Sequence, residues 1–294
     1  MKAAPFEYSR AESIDEACTL LASDDSARII AGGQTLVPMM AMRLARPTRL
    51  IDIARIADLS YIREADGAIA IGAATRQCMV ERSRTVASKL PLLARAIPWI
   101  GHSATRARGT VGGSLANADP AAELPLIAMT LDAVLVARAD GVDEEIPAVE
   151  FFIGPMITAM PMGGVLSGVR FPVWTGKIGV GFQEINARSS DFAFVSAAAQ
   201  VELDDAGRCK RIAIGVGAAT DFPMRLESAE QQLTDNTLDD AAIKDAVAGA
   251  LADIDALDDL HATAQYRARV AVKLATRAVT DARDHALGKH KDAH

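Results

Sequence analysis

The sequence predicts an α+β protein of two domains. Its 294 residues correspond to about two domains at roughly 150 residues each. Residues 27–46 run strand, glycine turn, helix, and residues 191–220 read as two strands joined by a hairpin turn, with helical sequence to follow. Half of the residues are hydrophobic and only 4% are aromatic, so the interior is alanine-rich and aliphatic.

The first strand is ARII (27–30), with two β-branched residues. It breaks at Ala31-Gly32-Gly33-Gln34-Thr35, after which LVPMMAMRLAR (36–46) is helical in pattern. This is the order of a phosphate-binding loop. RLIDI (49–53) and AIAIGAAT (68–75) are strands, the second preceded by an Asp66-Gly67 turn. Residues 76–100 are helical in pattern, with Pro91 and Pro98 as interruptions. A second glycine-rich turn covers 109–115. ELPLIAMTL (123–131) is a short helix and AVLVA (133–137) a buried strand. VEFFIGP (149–155) leads into a Gly/Pro-rich loop, and VLSGVRFP (165–172) is a strand stopped by proline.

PVWTGK (172–177) has the composition of a linker, which places a domain boundary there and divides the chain into 1–176 and 177–288. Beyond it, DFAFVSAAAQVEL (191–203) and RCKRIAIGVGAAT (208–220) flank the hairpin signal Asp204-Asp205-Ala206-Gly207. Helices follow at 225–233, 237–254 and 262–287. In the last, Tyr266, Val270, Leu274 and Ala278 form an apolar stripe. The tail 289–294 is expected to be loose. There is no solenoid-type repeat.

Several function classes are excluded. A net charge of −7 is no electrostatic footprint for nucleic acid or an anionic membrane. No apolar run reaches the roughly 18 residues of a membrane span, and the N-terminus has no signal-peptide h-region, so a cytoplasmic protein is expected. Cys18, Cys78 and Cys209 are scattered and offer neither a disulfide framework nor an iron–sulfur pattern. The five histidines include no ligand pair at helical spacing, so no metal site is expected on this chain.

The informative features are the glycine pairs in AGGQT (31–35) and TVGGSLANADP (110–120). Successive backbone N–H groups at a glycine pair can converge on a phosphate without obstruction by Cβ atoms. Thr35, Thr110 and Ser114 add hydroxyl donors. One such loop also suits an ordinary tight turn; two point to a diphosphate held from both sides, as in a dinucleotide. GVGFQE (179–184) and GVGAAT (215–220) lack the third glycine and the following helix of a Rossmann turn. Gly176-Lys177-Ile178 lacks the Ser/Thr of a P-loop.

AGGQTLVPMM, TVGGSLANADPAAELP and SSDFAFVSAAA together resemble the FAD-binding medium subunit of molybdenum hydroxylases. That family includes carbon monoxide dehydrogenase, and xanthine dehydrogenase carries the equivalent domain. The resemblance runs from about residue 3 to 288 in the same order. It implies a vanillyl-alcohol-oxidase-type FAD-binding fold of two subdomains (about 1–57 and 58–176), followed by a C-terminal flavoprotein domain of antiparallel sheet and helices.

The resemblance also assigns roles. Ala31, Gly32, Gly33, Gln34 and Thr35 would wrap the FAD pyrophosphate, flanked by Ile29, Ile30 and Leu36. Thr110, Gly113 and Ser114 would complete the clamp, with Asn117 and Asp119 in the same loop. Glu123 sits where the family places an acidic contact to the ribityl or adenosine part, although it equally suits the first turn of its helix. Leu166 would pack near adenine. Asp191 and Phe192 would lie beside the isoalloxazine ring, although Phe192 alternates with Phe194 as ordinary strand core does. Gln183 stands where several relatives carry a lysine near the flavin. Gln34 replaces a histidine found in many members, and no other His, Cys or Tyr lies within 29–36, so non-covalent FAD is expected.

By the same resemblance, the chain is an electron-transfer subunit without catalytic side chains of its own. A large partner would hold the molybdenum cofactor and a small partner the iron–sulfur clusters, in a dimer of heterotrimers. A free-standing FAD oxidoreductase of this fold and a non-catalytic scaffold subunit are the alternatives. Outside the nests, His102 is read as a structural loop histidine and Trp99 and Trp174 as packing residues; Arg106 and Arg108, just before the second nest, could attract phosphate but suit the solvated role usual for arginine pairs, and the cysteines are read as small buried hydrophobes.

Overall fold

The structure, a computed structural model, describes residues 2–289. Three sheets organise it. The first is parallel, with Arg49–Asp52 between Glu7–Arg10 and Arg28–Ile30. Helices Ile14–Ala22 and Leu36–Ala41 make the crossovers. Its small core is centred on Ile51, Ala17 and Ala27.

The strand Glu7–Arg10 and helix Ile14–Ala22 precede the first element read from the sequence. A capping box was the available signal. The Ser13 hydroxyl accepts from the Glu16 amide, and Glu16 accepts from the Glu12 amide in return.

The second sheet is antiparallel, in the order Ile62–Ala65, Ala68–Gly72, Val165–Pro172, Val134–Ala139, Val142–Pro147. Its two outer strands are largely exposed and polar, which hides them from a reading based on hydrophobic runs. The segment 76–100 divides into Gln77–Glu81, Arg84–Lys89 and Pro91–Ala96, followed by a 3₁₀ turn at Ile97–Trp99. Pro91 therefore starts a helix rather than interrupting one, because the first helical position needs no N–H. Glu123–Thr130 is buried along its whole length and forms the centre of the main core with Leu92, Leu93 and Phe171. Residues 148–158 form one helical turn and a two-stranded ribbon, Phe152–Gly154 with Ile157–Thr158.

The third sheet is antiparallel: Lys177–Asn186, Ala193–Leu203, Cys209–Gly217 and Met224–Arg225. The hairpin predicted at 204–207 joins its second and third strands. Side-chain parity gives this sheet two buried faces. Val180, Phe182 and Ala198 enter the main core, whereas Ala197, Ala199 and Val201 pack with the long helix Ala264–Ala286. That helix lies on the sheet backbone: a Cβ at Gly179 would stand 1.9 Å from the Ala282 carbonyl oxygen. The GVG of 179–181 is thus a helix-packing surface. Helices Glu227–Leu233 and Asp240–Ala250 complete the layer. In the tail, the Lys289 amide still donates to the Asp284 carbonyl; 290–294 lie outside the described residues.

Candidate functional site

A cavity of about 860 Å³ opens between the three sheets, within the range of cofactor pockets. Ile29, Ile30, Ala31, Gly32, Gly33, Gln34, Thr35 and Leu36 all line it. The chain leaves the parallel sheet at Ile30, and Gly33 at φ +70° reverses its direction before the helix starts. Among the described residues, the amides of Gly32, Gly33, Gln34 and Thr35 donate to no acceptor. The Thr35 hydroxyl is likewise unengaged. This loop is the nest the sequence predicted.

The second glycine pair differs from that expectation. It is the opening turn of the helix Val111–Asn117, capped by the Thr110 hydroxyl, which accepts from the Gly113 amide. The amides of Val111, Gly112 and Ser114 go to the carbonyls of Thr75, Ala73 and Thr110, so no free nest remains. Gly112 serves packing: a Cβ there would stand 2.3 Å from that of Ala73. Thr110, Gly113, Ser114 and Asn117 nevertheless line the cavity, and the Ser114 hydroxyl has no partner among the described residues. This wall therefore presents side-chain donors where backbone donors were expected.

Asp119, Glu123, Leu166, Asp191 and Phe192 complete the ring of predicted residues around the cavity. Gln183 is the exception. It faces the long C-terminal helix, where its Nε2 donates to Asp281 at 2.6 Å. Strand parity explains the correction. Gly179, Gly181 and Gln183 share the helix-facing side, and Val180, Phe182 and Glu184 share the core-facing side. Glu184 does not line the cavity either, but it lies near enough to Glu123 for their charges to interact, and the alternation Val180, Phe182, Glu184 was the signal for its side of the strand.

Two carboxyls, the buried Glu123 and the half-buried Glu184, interact beside this region. Burial pushes Glu123 up to about 7, with the charge of Asp119 adding and that of Arg106 opposing. Burial likewise raises Glu184 to about 8; the Glu123 charge contributes, and the hydrogen bond from Asn186 opposes. Both therefore exchange protons near neutral pH.

Arg106 is buried, contrary to the solvated role read for it. Its guanidinium makes a bidentate pair with Glu81 at 2.8 and 2.9 Å, and donates to the carbonyls of Pro98, Ile100 and Gly101. It thereby holds the 100–101 wall of the cavity. Trp174 is buried under the Arg211 guanidinium, and Trp99 is partly exposed against Phe182. Cys18 and Cys209 are buried, but Cys78 only partly so. Among the described residues there is no metal-binding cluster of His, Cys, Asp and Glu, and no helix is long and apolar enough to cross a membrane.

The family described as "FAD binding domain in molybdopterin dehydrogenase" matches residues 4–174, and "CO dehydrogenase flavoprotein C-terminal domain" matches 181–282. The chain belongs to this family of flavin subunits. It is similar to the 6-hydroxypseudooxynicotine dehydrogenase complex subunit alpha of Paenarthrobacter nicotinovorans, with 40% identity over 92% of both chains. It is also similar to the carbon monoxide dehydrogenase medium chain of Afipia carboxidovorans, with 33% identity over 96% of this chain and 98% of that one. The solved quinoline 2-oxidoreductase of Pseudomonas putida 86 contains a chain of the same fold. That chain superposes with a TM-score of 0.91 and 31% identity, over 98% of this chain and 99% of its own.

As a molybdenum-hydroxylase flavin subunit, the chain has a cavity whose donors fit FAD. Four consecutive unpaired amides suit one side of a diphosphate. The Thr35 and Ser114 hydroxyls add neutral donors from two walls. No His, Cys or Tyr lies in the 29–36 loop to attach a flavin covalently.

Proposed function

We propose that this chain carries non-covalent FAD as the medium subunit of a three-subunit molybdenum hydroxylase. In this reading a small subunit passes electrons from its iron–sulfur clusters to the flavin, which passes them to a terminal acceptor. A large subunit oxidises the substrate at molybdenum. The assembly is a cytoplasmic dimer of heterotrimers. The observation that carries the reading is the loop at 32–35, whose free amides face an 860 Å³ cavity.

Residues 1–176 form the cofactor-binding domain, and 177–288 close the cavity at Asp191 and Phe192. The diphosphate sits between the 31–35 loop and Ser114, with adenine toward Leu166 and the ring toward Asp191 and Phe192. Flavin supplies a two-electron carrier that can be filled one electron at a time. The chain contributes binding and orientation. Glu123 and Glu184 contribute carboxyls that hold protons near the cavity at neutral pH.

The test is the visible spectrum of the purified chain after incubation with FAD and desalting. Retained flavin bands are expected, with loss in Gly33→Asp. A folded chain that retains no flavin alone or when co-purified with its partners would refute the reading. Turnover of a small substrate by the purified chain would instead favour a free-standing oxidoreductase.

A further inference from the structure

Residues 76–108 differ from the rest of the chain in charge. They hold seven Lys or Arg against a single Glu, whereas the remainder holds 24 against 37 Asp or Glu. Arg106 pairs with Glu81 and Lys89 with Glu64. The other five arginines pair with no carboxylate among the described residues. Arg82, Arg84 and Arg108 are exposed, and the Arg76 guanidinium donates to the Arg108 carbonyl rather than to an acid.

Two large apolar side chains stand among these charges. Met79 is 45% and Trp99 40% exposed, on a surface formed where Gln77–Glu81, Ile97–Trp99 and Ser103–Arg108 pack together. Trp99 rests on the buried Phe182, with 5.7 Å between ring centroids. Arginines around an exposed tryptophan and methionine match the composition of protein–protein interfaces, in which Trp, Met and Arg are enriched and Lys is depleted. The inner side of the same elements is a wall of the cofactor cavity, which Gln77, Ile100, Gly101 and Thr105 line. A protein docked on the outer side therefore stands one layer of helix from the cofactor.

We propose that this face docks the small iron–sulfur subunit, which meets it with an acidic surface and an apolar recess for Met79 and Trp99. The inference rests on the reading of the chain as part of a three-subunit complex. An electron donor has to come within tunnelling range of the flavin, and a partner seated on this wall meets that requirement. Unpaired arginines steer an acidic partner and fix its register, and they repel a basic one. A second copy of this chain also carries acidic surface, but it would bring flavin to flavin without supplying electrons.

The test uses the complex purified through a tag on this chain. p-Benzoylphenylalanine in place of Met79 should crosslink, on irradiation, to an acid-rich peptide of the subunit that holds the iron–sulfur clusters. Arg82→Glu/Arg84→Glu should lower the iron recovered per flavin about tenfold, with flavin retention and the melting temperature of the chain unchanged. Lys273→Glu/Arg277→Glu is the control. It makes the same change of charge at exposed positions of the long C-terminal helix and should leave the iron-to-flavin ratio at the wild-type level. Arg82→Gln/Arg84→Gln adds no repulsion, should fall between the two, and decides the matter if charge reversal disturbs folding. A crosslink to the molybdenum subunit, to a second copy of this chain or to lipid, or no crosslink at all, would overturn the proposal. So would wild-type iron retention in Arg82→Glu/Arg84→Glu, or equal iron loss in the control. A wild-type chain that purifies with flavin but with neither iron nor molybdenum would strike the three-subunit reading instead.

Discussion

Gly32 and Gly109 lie in backbone contact, so the two glycine loops of the cofactor cavity brace each other. A Cβ on Gly32 would stand 2.8 Å from the Gly109 Cα and 2.5 Å from the Arg108 carbonyl oxygen. Neither neighbour is a flexible side chain that could yield. The contact sets the spacing between the free amides at 32–35 and the Ser114 wall.

Gly32→Ala should therefore push the loops apart. Overpacking of this kind costs about 1–3 kcal/mol, and thermal denaturation should show the loss. FAD affinity should fall with it. Gly249→Ala is the control: a Cβ there meets nothing within 4 Å, and the site is inside the helix Asp240–Ala250. That variant should gain roughly 0.5–1 kcal/mol from helix propensity. Equal melting temperatures for the two variants would contradict the packing argument.

Thr35→Val and Ser114→Ala remove hydroxyls that have no partner within the described chain. Each should weaken FAD binding about tenfold, the equivalent of ~1.4 kcal/mol for one hydrogen bond to a charged group. Melting of the flavin-free chain should not change. Thr110→Val is expected to behave differently, because the Thr110 hydroxyl caps a helix by accepting from the Gly113 amide. It should destabilise even the flavin-free chain by about 1 kcal/mol. Flavin fluorescence titration and calorimetry separate the two cases.

Glu184 makes stability depend on pH. Its ordinary value of 4.5 is raised to about 8 in the fold, so between those values the folded chain binds more protons than the unfolded one. Stability therefore falls as pH rises from about 4.5 to about 8. Glu184→Gln should flatten that slope. The fall in melting temperature between pH 5 and pH 8.5 should shrink by roughly 3–6 °C. An unchanged slope would mean that Glu184 is ionised without cost.

Arg106→Ala leaves Glu81 without its bidentate partner and frees three carbonyls at 98, 100 and 101. The expected cost is about 1–3 kcal/mol, most of it from the carbonyls left unpaired, because Glu81 is accessible to water once its partner is gone. Glu81→Gln/Arg106→Met should recover part of the stability but not the FAD affinity, because the 100–101 wall stays untethered. Full recovery of both would rule out a positioning role.

Much of the site was legible because it lies on contiguous sequence. Residues 29–36 and 110–123 each form one stretch whose glycines and hydroxyls announce a polar loop, and seventeen of the eighteen candidates meet around one cavity. The one that does not, Gln183, missed by a single residue of strand parity. Alternation places neighbours on opposite faces, and its phase was set by packing against a helix about 100 residues later. The outer strands at 62–65 and 142–147 went unread because their side chains are mostly solvated, so pairing alone makes them strands.

What the amino-acid sequence determined by itself is local: where the chain turns, which runs are apolar, and which loop carries donors without side chains in the way. It also determined membership of a family, since those motifs recur in order. The three-dimensional fold decided which donors remain available. The amides at 111–114 look like a second nest in sequence, yet carbonyls of Thr75 and Ala73, supplied by a neighbouring segment, consume two of them, and Thr110 at their own helix start takes the rest. It also decided the charge state of Glu123 and Glu184, because that depends on how much water surrounding elements exclude. Burial and hydrogen-bond occupancy are sums over neighbours distant in the chain, and no local pattern encodes them.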